Sequence, residues 1–410
     1  MVSLFACSDE GTAPPPDEQG EDEDDGEPMA SVDSGRPRLD ATIDARTPGV
    51  DSSVDAAKPD AAVVVDAAVR DSGLLPFEAN GKPIDALAKQ WTWVPFPDSY
   101  CRDGSNAGVA VNFNGPKDDL MIFLEGGGAC FEGLSCLANP TTAQQKPRAD
   151  VGIFDRTNSA NPLRDFNFVY VPYCTGDVHA GTNANAAVPG VLGTQKFVGR
   201  LNMEAYLKRV VPTFKTAKRV VLTGISAGGF GAASNAVLVQ RAFPDVKVTL
   251  IDDSGPPMSS KVVASCLQKQ WRELWGLDKS ILADCGSDCG NKDDFLFDYA
   301  LHLAKTYSDR AAGLIETAQD GVISGFFGAG LNNCTGIVLV TPVPGADFQK
   351  GLLEFRDAMK AYPNFGTWYP EGTQHTWLSS ESYYTGTIGS KKLTDWIADI
   401  LAGKTAHVGL

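Results

Sequence analysis

The sequence Gly224-Ile225-Ser226-Ala227-Gly228-Gly229 has the residue types and spacing of a nucleophilic centre. It follows the apolar run Arg219–Thr223, which predicts a buried strand, and it opens the stretch Ala227–Phe243, which predicts a helix. A sharp turn between strand and helix strains its central residue, and any Cβ at the flanking glycines would clash. The Ser226 hydroxyl would then be exposed at the carboxyl end of a sheet, before a helix N-terminus that favours negative charge. The pattern predicts a nucleophile; the alternative is a tightly packed turn.

A run of glycines follows the stretch Leu120–Leu124, which predicts a second buried strand. The run reads Glu125-Gly126-Gly127-Gly128-Ala129-Cys130. At this place in many ester hydrolases a glycine run aims a backbone N–H at the developing oxyanion, beside the N–H after the nucleophile. We therefore expect the oxyanion donors to be backbone N–H groups of Gly127 or Gly128 and of Ala227. The alternative is a flexible loop.

A serine nucleophile requires a base, and the chain offers four histidines: His179, His302, His375 and His407. His375 follows the last predicted strand, Phe365–Tyr369, and comes last in chain order, as the base does in this class of hydrolase. His302 lies in a helical stretch that needs no catalytic explanation, and His407 lies in a C-terminus expected to fray. His179 precedes the serine, where it could line a pocket. We predict His375 as the base.

The acid that orients this base should lie between Ser226 and His375 in the chain. Asp320 follows the weak strand predicted at Gly313–Glu316 and precedes Gly321 in a short polar loop. Asp347 begins a predicted helix, Phe348–Ala361, where helix capping explains it. Asp252 and Asp253 end the earlier strand predicted at Val246–Asp252. We predict that Asp320 is the acid.

These residues must be positioned by strands that alternate with helices. Gly108–Phe113 and Phe166–Pro172 predict further strands, and Met203–Phe214 predicts an amphipathic helix. Unbroken β-branched runs are typical of a parallel sheet covered on both faces. We predict one domain over residues 74–410, with an α/β-hydrolase-like, mostly parallel sheet and helices on both faces. Residues 260–310 predict a mostly helical insertion that contains cysteines.

The cysteines indicate an oxidising compartment. Setting Cys7 aside, an even number remains, which favours disulfides, although the sequence does not determine their pairing. A zinc site at Cys285 and Cys289 is the alternative, but no second Cys or His pair stands at zinc-finger distance. The eight cysteines are Cys101, Cys130, Cys136, Cys174, Cys266, Cys285, Cys289 and Cys334.

The negative charge of the chain is concentrated near its N-terminus. Residues 1–73 hold 18 of the 51 acidic and 5 of the 35 basic residues, so the rest of the chain is nearly neutral and has no basic field for nucleic acid. Residues 8–73 contain no Phe, Tyr or Trp and predict a disordered acidic linker; the alternative is an arm docked on the rest of the chain. Leu4-Phe5-Ala6-Cys7 resembles a bacterial lipobox, so residues 1–7 predict a truncated lipoprotein signal with Cys7 as lipid anchor; the alternative is an accidental resemblance. We therefore expect a secreted or cell-surface bacterial lipoprotein.

At the same motifs the chain resembles the pectin acetylesterase family, which includes the Notum carboxylesterases. The resemblance covers about residues 90–400 and implies an α/β-hydrolase fold and deacylation of an O-ester by a Ser226, Asp320 and His375 triad. Plant members usually have Trp before the Cys of the glycine block, where this chain has Ala129. The shared blocks are Leu124–Cys130, Tyr173–Gly176, Gly224–Gly229, Asp253–Gly255 and His375.

Together these features predict an exported serine ester hydrolase that works through an acyl-enzyme and needs no metal or organic cofactor. The expected substrate is an acetylated polysaccharide such as pectin. The alternatives are a broader carboxylesterase that accepts longer acyl chains, lipids or polyesters, and a surface binding module with a catalytically dead hydrolase body. The intact Ser226, glycine run and His375 argue against the dead module.

Overall fold

The computed structural model describes residues 76–116, 118–334 and 341–410. Residues 1–75 lie outside the described residues. They include the signal predicted for residues 1–7, with Cys7, and the acidic linker predicted for residues 8–73. Within the described ranges no helix is both long enough and apolar enough to span a membrane.

A nine-stranded sheet, with strand order β1-β2-β4-β3-β7-β8-β9-β10-β13, forms the centre of the fold. The pairs β1–β2 and β2–β4 are antiparallel, and every other pair in this sheet is parallel. Two separate antiparallel pairs, β5–β6 and β11–β12, lie outside it. The strands are β1 (Thr92–Tyr100), β2 (Asn106–Asn112), β3 (Asp119–Leu124), β4 (Asn167–Val171), β5 (Asn183–Ala187), β6 (Thr194–Phe197), β7 (Arg219–Ile225), β8 (Val248–Asp253), β9 (Ala312–Ile315), β10 (Phe365–Tyr369), β11 (Thr387–Ile388), β12 (Lys391–Lys392) and β13 (His407–Gly409).

Helices cover both faces of the sheet, which confirms the predicted fold class. Three of them, α5 to α7, occupy the predicted helical insertion. The helices are α1 (Gly133–Leu137), α2 (Gly199–Thr213), α3 (Ala227–Ser234), α4 (Ala236–Ala242), α5 (Ser265–Trp275), α6 (Ile281–Cys285), α7 (Leu296–Thr306), α8 (Ile323–Gly328), α9 (Gly345–Met359), α10 (Ser382–Thr385) and α11 (Leu393–Leu401).

Alternate residues of each central strand enter two different hydrophobic cores. In β3, Ile122 and Leu124 pack in the larger core with α2, α4, α5, α7 and α9, whereas Met121 and Phe123 pack in the other core with α11. Burying one such side chain contributes roughly 1.5–3 kcal/mol. Because both faces are buried, these strands are continuously apolar, and every predicted strand lies within two residues of its observed bounds.

The two outermost strands were not predicted. Pro95 and Pro97 argue against a strand at residues 92–100, but proline is tolerated in an edge strand, and β1 is at the edge. The prediction of a frayed C-terminus around His407 was wrong. Residues 407–409 pair with Thr367–Tyr369 as β13, and the Thr367 hydroxyl lies 3.1 Å from His407 Nδ1.

The helix predicted over residues 227–243 is interrupted at Asn235. The Asn235 amide Nδ2 donates to the carbonyl oxygens of Gly231 (2.8 Å) and His179 (2.9 Å). A side-chain amide that competes for helical carbonyl groups disrupts the regular ladder. The break separates α3, which begins directly after the predicted nucleophile, from α4.

The eight cysteines form four disulfides, which confirms the prediction of a disulfide framework. Cys285 and Cys289 are bonded to each other, so their sulfur atoms do not form the alternative zinc site. The other three disulfides are Cys101–Cys174, Cys130–Cys136 and Cys266–Cys334.

Candidate active site

Ser226 lies in the turn between β7 and α3, at φ 56° and ψ −123°. A non-glycine residue in such a conformation costs on the order of 1–3 kcal/mol, so the surrounding packing must enforce it. A Cβ on Gly224 would lie 2.2 Å from the Gly228 carbonyl oxygen, and one on Gly228 would lie 2.0 Å from that of Leu124. The Ser226 N–H donates to the Asp253 carbonyl at 2.7 Å, which fixes the turn to the end of β8.

Two side chains hold the glycine run by hydrogen bonds to its backbone carbonyl groups. Asn139 Nδ2 donates to the Gly127 carbonyl at 2.7 Å, and the Tyr173 hydroxyl donates to the Gly128 carbonyl at 2.9 Å. In a planar trans peptide the N–H points opposite to the C=O. The N–H groups of Gly128 and Ala129 therefore point away from Asn139 and Tyr173. Gly128 and Ala129 line the cavity described below.

Asp320 and His375 are in direct contact, with 2.7 Å between Asp320 Oδ2 and His375 Nδ1. Asp320 is fully buried, and its Oδ1 accepts the N–H groups of Val322 and Ile323 at 2.8 Å each. Three donors stabilise the carboxylate, and an ionised carboxylate only accepts. His375 Nδ1 therefore carries the hydrogen, and Nε2 of the neutral ring is left able to accept a proton.

Asp253 links the His375 loop to the turn that holds Ser226. Its Oδ2 accepts the N–H groups of Trp377 (2.7 Å) and Leu378 (2.8 Å), while its backbone carbonyl accepts the Ser226 N–H. Burial raises the pKa of Asp253 to about 6, and these backbone donors oppose the rise. Asp253, considered above as a rival acid, is thus hydrogen-bonded to the loop that carries the histidine.

The remaining histidines and Asp347 lie elsewhere. His179 is buried, with Nε2 2.9 Å from the Glu125 carbonyl oxygen, and does not line the cavity. His302 lies on α7, with Nδ1 2.9 Å from an Asp288 carboxylate oxygen. Asp347, in the first turn of α9, pairs with Lys350 at 2.7 Å.

An apolar cavity of about 590 Å³, counted with its open mouth, lies beside Ser226. Serine supplies two of its lining residues, and most of the others are aromatic or aliphatic. The insertion contributes a wall that includes Trp271 and Trp275, whose rings stack with centroids 5.7 Å apart. The lining residues are Gly128, Ala129, Val178, Ser226, Ala227, Phe230, Ser234, Trp271, Trp275, Leu277, Ile281, Phe295, Leu296, Ile323, Phe326 and Phe327.

Sequence reasoning missed several residues of this region. Tyr173 was part of a recognised block, but nothing local showed that its hydroxyl holds Gly128. Asn139 carries no motif. Trp271 and Trp275 of the insertion lie four residues apart, a spacing that is typical of one face of a helix. The sequence does not show that this face borders Ser226. Within the described residues no group of three His, Cys, Asp or Glu side chains is arranged to hold a metal.

The mostly parallel sheet, the strained serine turn and the Asp–His pair after later strands define an α/β-hydrolase fold. Residues 91–296, half of the chain, match the profile of the Pectinacetylesterase family. The chain therefore belongs to the pectin acetylesterase and Notum family.

Individual relatives extend this comparison. The chain is 31% identical over 170 residues to palmitoleoyl-protein carboxylesterase notum2 of Xenopus laevis, which covers 38% of this chain and 34% of that protein. It is 29% identical over 199 residues to palmitoleoyl-protein carboxylesterase NOTUM of Drosophila melanogaster, which covers 43% and 30%. The matches thus span about a third of these relatives. The crystal structure of the Wnt deacylase Notum from Drosophila superposes with a TM-score of 0.58 at 18% identity, covering 78% of this chain and 95% of that one, which establishes the shared fold.

Proposed function

We propose that this chain is a serine carboxylic-ester hydrolase in which Ser226 is the nucleophile, His375 the base and Asp320 the acid. The observation that carries the proposal is the 2.7 Å contact between His375 Nδ1 and buried Asp320, which leaves Nε2 to act as a base. The strained turn at Ser226 and the link through Asp253 support it.

In the proposed reaction, His375 Nε2 removes the Ser226 proton as Oγ bonds to the ester carbonyl carbon. Backbone N–H groups of the glycine run and of Ala227 bind the oxyanion; the orientation described above favours Gly128 over Gly127. The C–O bond to the alcohol then breaks, and the alcohol leaves with the proton from Nε2. Water attacks the acyl-enzyme by the same route and releases the carboxylic acid.

The cavity favours an acyl group longer than acetyl. A two-carbon acyl group is too short to contact most of the aromatic side chains of the cavity. In a longer acyl chain, each methylene buried there contributes about 0.8 kcal/mol to binding. The relatives named palmitoleoyl-protein carboxylesterases act, by name, on a long acyl chain. The family name favours the other candidate, removal of O-acetyl groups from a polysaccharide such as pectin.

Four disulfides support an exported enzyme, because such bonds persist in oxidising compartments. The substrate would then be an ester met outside the cytosol. The lipid anchor at Cys7 gains no support from the described residues, because Cys7 lies outside them.

The test compares kcat/KM on p-nitrophenyl acetate and octanoate. We expect the wild type to prefer octanoate. Ala129→Trp, which introduces the bulky side chain usual in plant members into the cavity lining, should lower the octanoate rate roughly tenfold or more, because small changes in pocket volume discriminate acyl groups on this scale. Acetate hydrolysis by the same variant is the internal control.

Three outcomes would count against these assignments. Equal loss on both esters would show damage to the glycine run, and a wild type that prefers acetate would favour the acetylated polysaccharide. Retained activity in pure Ser226→Ala protein would remove the serine mechanism itself.

A further inference from the structure

Four carboxyl groups are buried together where β8 and β9 end. Asp252 and Asp253 end β8, Glu316 directly follows β9, and Asp320 lies four residues further on. Asp252 is 4% exposed and the other three are fully buried. Several negative charges this close in a low-dielectric interior would repel one another strongly, so some of these groups must be protonated.

The hydrogen-bond donors around the four groups show which ones hold the charge. Asp320 accepts three donors, from Val322, Ile323 and His375. Asp253 also accepts three, from the Trp377 and Leu378 N–H groups and the Ser254 hydroxyl. By contrast, neither carboxyl oxygen of Glu316 receives a donor from the described residues, and Oδ1 of Asp252 receives none. Donors stabilise the ionised form, so Asp320 and Asp253 are charged and the other two carry protons.

Glu316 and Asp320 lie at the two ends of a tight turn, in which the Asp320 N–H donates to the Thr317 carbonyl at 3.2 Å, and the carboxyl groups of both residues are buried and interact electrostatically. Two carboxyl groups bond to each other only if one is protonated, since an ionised carboxylate has no donor. Burial, followed by the charges of Asp320 and Asp253, raises the pKa of Glu316 well above its ordinary value. The shared proton therefore belongs to Glu316.

We propose that Glu316 is a neutral carboxylic acid that donates its O–H to Asp320 and so positions the Asp320–His375 pair. This rests on the proposed function of that pair. A bond donated to Asp320 restrains its carboxylate and takes up part of its negative charge, which limits how strongly Asp320 stabilises a protonated His375.

Other titratable groups also face this pair. Asp252, Asp253 and Tyr369 lie close enough to Glu316 to interact with it electrostatically, and His375 also faces Asp253. Arg356 interacts electrostatically with Tyr369 and opposes the rise of its pKa. Because Glu316 is uncharged in this scheme, replacing it with a neutral donor leaves the field of all these groups unchanged.

The test measures the acid limb of the pH profile of kcat/KM, which reports the base of the free enzyme. Glu316→Met keeps the length of the side chain but removes the donor. Asp320 then stabilises the imidazolium more strongly, so the midpoint should rise by about half a pH unit or more, with a lower kcat. Glu316→Gln keeps an uncharged donor and should restore the wild-type midpoint. Asp252→Asn, a buried neutral group at the neighbouring strand end, is the matched control and should not move it.

Three results would overturn the proposal. A Glu316→Met midpoint equal to that of the wild type removes the positioning role. A Glu316→Gln midpoint that falls shows that a negative charge was lost, so Glu316 was ionised. If Glu316→Met does not fold, the infrared difference spectrum of wild type minus Glu316→Gln decides: loss of one protonated-carboxyl band supports the neutral acid, and no loss refutes it. The infrared result does not depend on turnover, so it separates this proposal from the proposed function.

Discussion

At the scale of single residues, Asp320 and Asp347 offer the clearest contrast. Asp320 is buried against His375, whereas Asp347 pairs with Lys350 at the surface of α9. Removing the acid of a serine triad by Asp→Asn costs on the order of 10⁴ in turnover in the serine-protease case. We expect Asp320→Asn to lose about 10³–10⁴ in kcat and Asp347→Asn to lose less than tenfold, measured on one ester at one pH.

The two variants control for each other, since both replace a carboxylate with its isosteric amide. Their circular dichroism spectra should match that of the wild type. A larger loss in Asp347→Asn than in Asp320→Asn would show that the acid is misassigned even if Ser226 and His375 stand.

His179 should make the stability depend on pH. Burial lowers its pKa to about 4, so it is neutral when folded, while in the unfolded chain it titrates near 6.5. As pH falls from 6.5 to 4 the unfolded state binds this proton first, so stability falls by on the order of 3 kcal/mol. Asp177 opposes this, because burial raises its pKa to about 6 and the folded state takes up its proton first.

The contribution of His179 is therefore measured as the difference in unfolding free energy between the wild type and a variant without the titrating ring, at two pH values. His179→Gln keeps an N–H donor that can reach the Glu125 carbonyl but has no titrating ring. Urea unfolding at pH 7.5 and at pH 4 should show the wild type losing on the order of 3 kcal/mol relative to the variant between the two conditions. A constant gap between the two proteins would mean that His179 titrates normally.

At the scale of elements, the disulfides differ mainly in the length of chain that they close. Cys101–Cys174 joins residues 73 apart, just after β1 and just after Tyr173, whereas Cys285–Cys289 joins residues 4 apart at the end of α6. Loop-closure entropy predicts that the long loop is worth about 4 kcal/mol and the short one about 2. Replacing each pair with alanines should therefore lower the free energy of unfolding by about 2 kcal/mol more for Cys101–Cys174.

Urea titration without reductant measures both losses against the same wild type. Because Cys101–Cys174 also holds the block that contains Tyr173, its removal should lower turnover as well, and removal of Cys285–Cys289 should do so less. Equal losses of unfolding free energy would show that native contacts, rather than chain closure, decide the value of these bonds.

At the scale of the whole molecule, the sequence predicts what is encoded locally. The buried strands could be predicted because both of their faces are apolar. The Ser226 turn could be predicted because its glycines lie within a few residues of the serine in the sequence. β1 and β13 were missed because an edge strand tolerates proline and a three-residue strand has no detectable period. The bonds from Tyr173 to Gly128 and from Asp253 to the His375 loop join residues 45 and more than 120 positions apart, and only the tertiary fold creates them.

The position of the aromatic wall in the sequence also has a consequence for how the family evolves. Much of that wall comes from residues 265–306, whereas Ser226, Asp320 and His375 lie outside this segment. Selection for a new ester can therefore act on the insertion while purifying selection preserves the turns around the sheet. We expect lineages of this family to diverge fastest in the insertion, and grafting it from one member to another should transfer acyl preference without rebuilding the catalytic groups.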